Sequence, residues 1–230
     1  MEEITHLVIS LCRTIEVSLR CRLHENLHMK EKNKTIALLV FIMVAIQFVL
    51  AVCHKIWTSE EIYGHKMVTM AIFIAFIAII LIVCRCLKCS LSVFPQKFSK
   101  WYVISTVAFA LLLISSPSNY SGGYQAITSL VYGSIVTPVF EELLFRGIFW
   151  NKMSDAGMND KSIYWWNVAL FALWHIGYMS SQIVDGNWFA VLTKVGAAFI
   201  YGLILCYVRT KTKNCYSTML VHGTINLFAF

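Results

Sequence analysis

The sequence is expected to fold as an all-α protein: a polytopic membrane helix bundle of about seven transmembrane helices, preceded by an interfacial helix. Hydrophobic residues fill 58% of the 230 positions and charged residues 13%, against roughly 45–50% and about 25% in soluble domains. Mean hydropathy is +0.68. Two long runs, 35–53 and 67–84, contain no charge and approach the roughly 20 residues that cross a bilayer. Lys and Arg gather in alternate connections, the pattern that fixes orientation in a membrane.

Taken in order, residues 1–34 are mostly polar, with Leu7, Leu11, Ile15, Leu19 and Leu23 at helical spacing against a charged side. This is the pattern of an amphipathic segment lying on the cytoplasmic face. The runs 35–53 and 67–84 are followed by spans at 101–116, 124–150, 162–179, 188–207 and 215–230, each with polar interruptions. Turn chemistry separates them, as Ser-Pro-Ser-Asn at 116–119 and Asp-Gly-Asn at 185–187. The division is therefore a cytoplasmic amphipathic segment at 1–34 and a transmembrane bundle at 35–230. No segment repeats, which excludes a solenoid.

Arg20, Arg22, Lys30, Lys32 and Lys34 precede the first span, only Lys55 and Lys66 lie in the next connection, and Arg85, Lys88, Lys97 and Lys100 follow the second span. Lys152 and Lys161 lie between the fourth and fifth, and Arg209, Lys211 and Lys213 between the sixth and seventh. The connections near 120 and 185 carry neither Lys nor Arg. An integral membrane protein with a cytoplasmic N-terminus follows. Topology thus accounts for the net charge of +7, and with no basic patch no nucleic-acid partner is expected; the bilayer is the partner. The eight cysteines fall in apolar runs or beside basic residues, which does not suggest a secreted disulfide framework.

Ionisable residues within a span are costly and mark function. Glu141, Glu142 and Arg146 interrupt the fourth span, one turn after Pro138. Glu142 and Arg146 are four residues apart and share a helix face. Glu141, about 100° around, is left free for chemistry. His175 follows Phe171 by one turn in the fifth span, and His222 precedes Asn226 by one turn in the seventh. Counted at about 1.5 Å per residue, Glu141, His175 and His222 share one layer of the membrane, roughly 12 to 20 Å deep.

Three motifs in order, Glu-Glu-x-x-x-Arg at Glu141, Glu142 and Arg146, Phe-x-x-x-His at Phe171 and His175, and His-x-x-x-Asn at His222 and Asn226, resemble those of the CPBP intramembrane proteases. This family, also called Abi or CAAX-protease-like, includes the Rce-type CAAX prenyl endopeptidases and bacterial members, some linked to bacteriocin immunity. The resemblance covers about 100–230, the expected protease-like core.

It implies an intramembrane endopeptidase of the bacterial cell membrane that hydrolyses a peptide bond in a membrane-associated peptide or protein. Glu141 with His175 would activate a water, and His222 and Asn226 would steady the oxyanion, with Arg146 and Phe171 in support. Aligned donors gain strength where water is scarce. No cofactor is firmly implied. A divalent metal such as zinc stays open, with Glu141, His175 and His222 as candidate ligands, though the reading leans toward no tightly held metal.

A rival motif, His24-Glu25-Asn26-Leu27-His28, matches the zincin pattern His-Glu-x-x-His. It sits on a polar amphipathic surface with no third ligand following, and is read as coincidental. Two other classes remain: a transporter using the intramembrane charges, which paired interruptions in the two halves would favour and the sequence lacks, and a non-catalytic immunity or scaffold protein. Glu141 lies nearer the cytoplasmic end of its span, so substrate is expected from the cytoplasmic half of the bilayer.

Overall fold

The structure, a computed structural model, describes the backbone of residues 2–57, 62–115 and 118–228, and side chains at 29–57, 63–115 and 120–228. Among the described residues there is no strand. The longer helices are α1 (Glu2–Trp57), α2 (Ile62–Cys86), α3 (Lys100–Ser115), α4 (Gly123–Asp155), α5 (Asp160–Trp174), α6 (Trp188–Thr212) and α7 (Cys215–Phe228). The protein is an all-α helical bundle.

Among the described residues, four segments are long and apolar enough to cross a membrane: Met29–Trp57, Tyr63–Cys86, Gly123–Asp155 and Trp188–Thr212. α3, α5 and α7 are shorter, at 16, 15 and 14 residues. α1 runs without a break from the amphipathic segment into the first span, joining both in one rod. The faces of Leu7, Leu11, Ile15, Leu19 and Leu23, and the side chains of His24, Glu25 and His28, lie outside the described residues. Outward-facing apolar side chains such as Phe41, Phe48 and Phe189, exposed by 69%, 68% and 83%, form the surface that an integral membrane protein turns to lipid.

α4 is the central helix. Phe140, Leu143, Leu144, Phe145, Phe149 and Trp150 are all buried, and it packs against α2 and α7. Its winding is not uniform, for Tyr132–Val136 and Leu143–Phe149 are π-helical. Such turns displace backbone carbonyls from the ordinary ladder and are frequent at functional sites. Here side chains from neighbouring helices take up two carbonyls: Asn226 Nδ2 donates to Gly133 O at 2.8 Å, and Arg209 Nε donates to Arg146 O at 3.0 Å. Pro138 contributes, because it has no N–H to give a carbonyl one turn back. α7 comes close enough to reach this stretch because residue 223 is glycine. A Cβ there would collide with Ser134 O and the Phe109 ring.

Side-chain caps set the helix ends. Asn159 accepts from Ser162 N at 2.8 Å at the start of α5, Asn187 from Ala190 N at 3.3 Å at the start of α6, and Asn214 from Ser217 N at 2.9 Å at the start of α7. These are ordinary N-caps. Lys213 closes α6 in the left-handed region, φ 57°. The α2–α3 connection is tied to the α6–α7 corner, where Cys215 N donates to Ser92 O at 2.9 Å and Tyr216 N to Val93 O at 2.8 Å. Those two connections therefore lie at the same end of the bundle.

Boundaries depart from the sequence reading in several places: α2 begins at Ile62 rather than 67, α4 runs on past 150 to Asp155, and α6 past 207 to Thr212. The span expected at 162–179 is α-helical only to Trp174, after which His175–Met179 tightens to 3₁₀. The end of the α ladder frees the Trp174 carbonyl, and Gln47 of α1 donates to it at 3.1 Å. Gly177 lets Gln47 approach, since a Cβ at that position would collide with the amide.

Candidate functional site

Glu141 and Glu142 lie between the two π-wound stretches of α4, exposed by only 1% and 0%. As the four-residue spacing predicts, Arg146 Nη1 reaches Glu142 Oε1 at 3.0 Å, with both side chains fully buried. The same oxygen meets His222 Nδ1 at 2.9 Å. Because Glu142 is paired with a guanidinium and accepts as a carboxylate, the proton belongs on His222 Nδ1, an assignment made from the bonding pattern. Arg146 also points Nη2 at Gly202 O, 3.4 Å away, and its guanidinium lies 4.4 Å from the Phe171 ring centroid. A desolvated cation over an aromatic face adds to the pairing.

Glu141 has a different environment. Its Oε1 accepts from Trp174 Nε1 at 2.9 Å and from Tyr178 OH at 3.2 Å. Its Oε2 makes no hydrogen bond within the protein and lies 3.8 Å from His222 Nε2. Both carboxylates are held by Oε1 and leave Oε2 outside any hydrogen bond; they differ in their partners, a guanidinium and an imidazole for Glu142 and two neutral aromatic donors for Glu141.

The remaining motif residues are placed as follows. His175 sits where α5 becomes 3₁₀, and its Nδ1 donates to Phe171 O at 2.8 Å, leaving Nε2 as the ring's acceptor. It is within electrostatic reach of Glu141, but no hydrogen bond joins the two. Phe171 is the hub between both histidines, with ring centroids 4.8 Å from His175 and 5.8 Å from His222. Asn226 binds Gly133 O, so one amide hydrogen is committed to holding α7 on α4. The structure therefore brings Glu141, Glu142, Arg146, Phe171 and His222 into direct contact, and sets His175 and Asn226 at the margin.

Among the described residues no three His, Cys, Asp or Glu side chains converge as a metal-binding group. Glu141 and His222 face each other, and His175, the expected third ligand, gives its Nδ1 to a backbone carbonyl, which leaves Nε2 free as in many ligating histidines. Zinc normally takes at least three protein ligands; the three expected here do not converge in this structure.

Sequence reasoning missed Trp174 and Tyr178, the two donors to Glu141. Their signal was present: they are one turn apart and straddle His175, and each is an apolar ring with a polar tip that seeks a partner when buried. It also missed Gln47, a lone amide in an otherwise apolar run.

Fold and site together define a polytopic membrane protein with a buried carboxylate–imidazole centre. Residues 123–228 match the family model described as type II CAAX prenyl endopeptidase Rce1-like. The likeness to the CPBP, CAAX-protease-like family is thereby shown over the stretch that holds the three motifs. The chain is also similar to the UPF0177 protein YxdF of Lactococcus lactis subsp. lactis, 25% identical over 134 residues, which cover 55% of this chain and 66% of that relative. The matched region thus spans a little under two thirds of the curated relative's length. No solved structure matches the chain.

Proposed function

We propose that the protein is an intramembrane endopeptidase that hydrolyses a peptide bond of a membrane-associated peptide or protein, with its catalytic core at about 100–230. The observation that supports this reading is the difference in partners: Glu142 Oε1 is bound by the Arg146 guanidinium and His222, whereas Glu141 Oε1 takes only the neutral donors Trp174 and Tyr178, and its Oε2 faces His222 Nε2 at 3.8 Å. A buried carboxylate held by neutral donors, with one oxygen outside any hydrogen bond, is suited to general-base work.

In this mechanism Glu141 Oε2 takes a proton from water while the hydroxide oxygen bonds to the substrate carbonyl carbon. The carbonyl electrons move to oxygen. Collapse of that intermediate breaks the C–N bond, and Glu141 returns the proton to the leaving amine, giving one carboxylic acid and one amine. Trp174 and Tyr178 hold Glu141 by its other oxygen. His175, with Nε2 as acceptor, assists in orienting the water, and His222 and Asn226 would steady the oxyanion, Asn226 with the amide hydrogen that Gly133 O does not use. No step is routed through a metal.

The test compares membrane proteomes of cells expressing the intact protein and Glu141→Gln at matched levels. A few peptide termini present only with the intact protein are expected, in membrane-associated segments. With good expression and no differing termini, the catalytic reading fails and a non-catalytic immunity or scaffold role takes its place.

A further inference from the structure

A cavity of about 650 Å³ shares Tyr178 with the Glu141 site, within the range of about 300–1,000 Å³ typical of ligand clefts. Its walls include Gln47, Ala51 and His54 of α1, His65 and Thr69 of α2, and Tyr178. Tyr178 connects it to the chemistry, because the same hydroxyl donates to Glu141 Oε1 at 3.2 Å. The walls are lined with hydrogen-bonding groups. His54 Nε2 meets Thr69 Oγ1 at 2.9 Å, His65 Nδ1 meets His54 Nδ1 at 2.9 Å, and the two imidazoles stack with centroids 4.8 Å apart. Polar side chains on spanning helices are expensive unless they pair or line a hydrated pathway. A second cavity of about 620 Å³, between Cys84 and Ser92 at the far end of α2, touches none of the site residues.

Neither α1 nor α2 belongs to the matched stretch 123–228. We propose that these two helices build the substrate-binding vestibule of the Glu141 site, which takes a hydrophilic, extended peptide segment between the end of α1 and the start of α2. This rests on the endopeptidase reading and specifies its substrate class. A lipid chain in this space would leave His65 Nε2 and the hydroxyls of Ser180 and Ser181 facing hydrocarbon, and a site built from such groups rejects occupants that cannot hydrogen-bond to them. A peptide backbone offers both a donor and an acceptor at nearly every residue.

The test begins with the termini that depend on Glu141. Ala51→Trp and Ser181→Trp fill the cavity from opposite walls, and each should lower those termini at least tenfold per copy of membrane protein. Phe48→Trp, on the lipid-facing side of α1 with Phe48 68% exposed, should leave them unchanged. A plug installed after folding, Ala51→Cys alkylated by a bulky maleimide in isolated membranes, should give the same loss relative to wild type treated alike. The residues flanking the cleaved bonds should be polar. Termini within twofold of wild type in the plugged proteins, or flanking segments that are uniformly apolar, would overturn the vestibule. An absence of any Glu141-dependent termini would instead sink the endopeptidase reading.

Discussion

Glu142 Oε1 stands between a guanidinium and an imidazole, 3.0 Å from Arg146 Nη1 and 2.9 Å from His222 Nδ1. It thereby ties α4 to α7 at the level of the site. Removing one partner of a buried ion pair strands the other and costs about 3–5 kcal/mol. Arg146→Met should therefore greatly reduce the protein recovered from membranes. Arg146→Lys should not restore it, because a point charge cannot serve Glu142 and Gly202 O together as the planar fork does. Immunoblots of membranes and thermal unfolding in detergent measure this; wild-type levels of Arg146→Met would disprove the structural role.

Glu141 is expected to separate function from stability. In Glu141→Gln the amide oxygen still accepts from Trp174 and Tyr178, so the protein should accumulate normally while processing stops. His175→Ala should also stop processing at normal levels. Glu25→Gln should change nothing. If Glu25→Gln alone inactivated the protein, the zincin motif would replace the intramembrane site.

Trp174→Phe and Tyr178→Phe each remove a hydrogen bond to the Glu141 carboxylate, and such bonds to charged groups contribute about 1.5–3 kcal/mol. Processing should slow by roughly ten- to a hundredfold in each variant, with membrane levels close to wild type. Unchanged rates in both would mean that the Oε1 contacts do not position the base.

Much of this arrangement was legible, because some of it is set by local spacing. The pairing of Glu142 with Arg146 follows from helical periodicity, and α1 and α2 follow from uninterrupted apolar runs. The π-wound stretches were not legible, since they depend on what α7 brings to α4: Gly223 allows the close approach, and Asn226 takes the Gly133 carbonyl. The early end of α5 was hidden for the same reason, being set by Gln47 more than a hundred residues away in sequence. The contact of His222, rather than His175, with both glutamates needed the bundle itself. Depth arithmetic placed all three in one layer without choosing the pairs.

Gly223→Ala probes that α7–α4 contact. The added methyl would meet Ser134 O, a backbone atom that cannot swing aside, and the Phe109 ring. Overpacking of this kind costs about 1–3 kcal/mol, so the unfolding midpoint in detergent should fall by several degrees. Processing should fall too, because His222 is the residue before Gly223 and moves with it. An unchanged midpoint would show that the helices separate freely here.

The side of the membrane from which substrate arrives gives the last prediction, and here the structure alters the sequence reading. Counting residues along 124–150 placed Glu141 nearer the cytoplasmic end, but the cavity that shares Tyr178 with Glu141 lies at the α1–α2 end of the bundle. The α6–α7 corner is at the other end, joined to the α2–α3 connection through Ser92 and Val93. With Arg209, Lys211 and Lys213 at that corner, the positive-inside rule puts it in the cytoplasm and turns the cavity outward. A reporter fused at 209–213 should therefore read cytoplasm, and one in the connection at 116–123 should read exterior. In intact cells, Ser181→Cys should react with a membrane-impermeant maleimide added outside, and Ser154→Cys, by the opposite cavity, should react only after the membrane is opened. The reverse labelling with reversed reporters would invert the orientation and return substrate to the cytoplasmic side; the reverse labelling with reporters as expected would move the cavity mouth to the other end of the bundle.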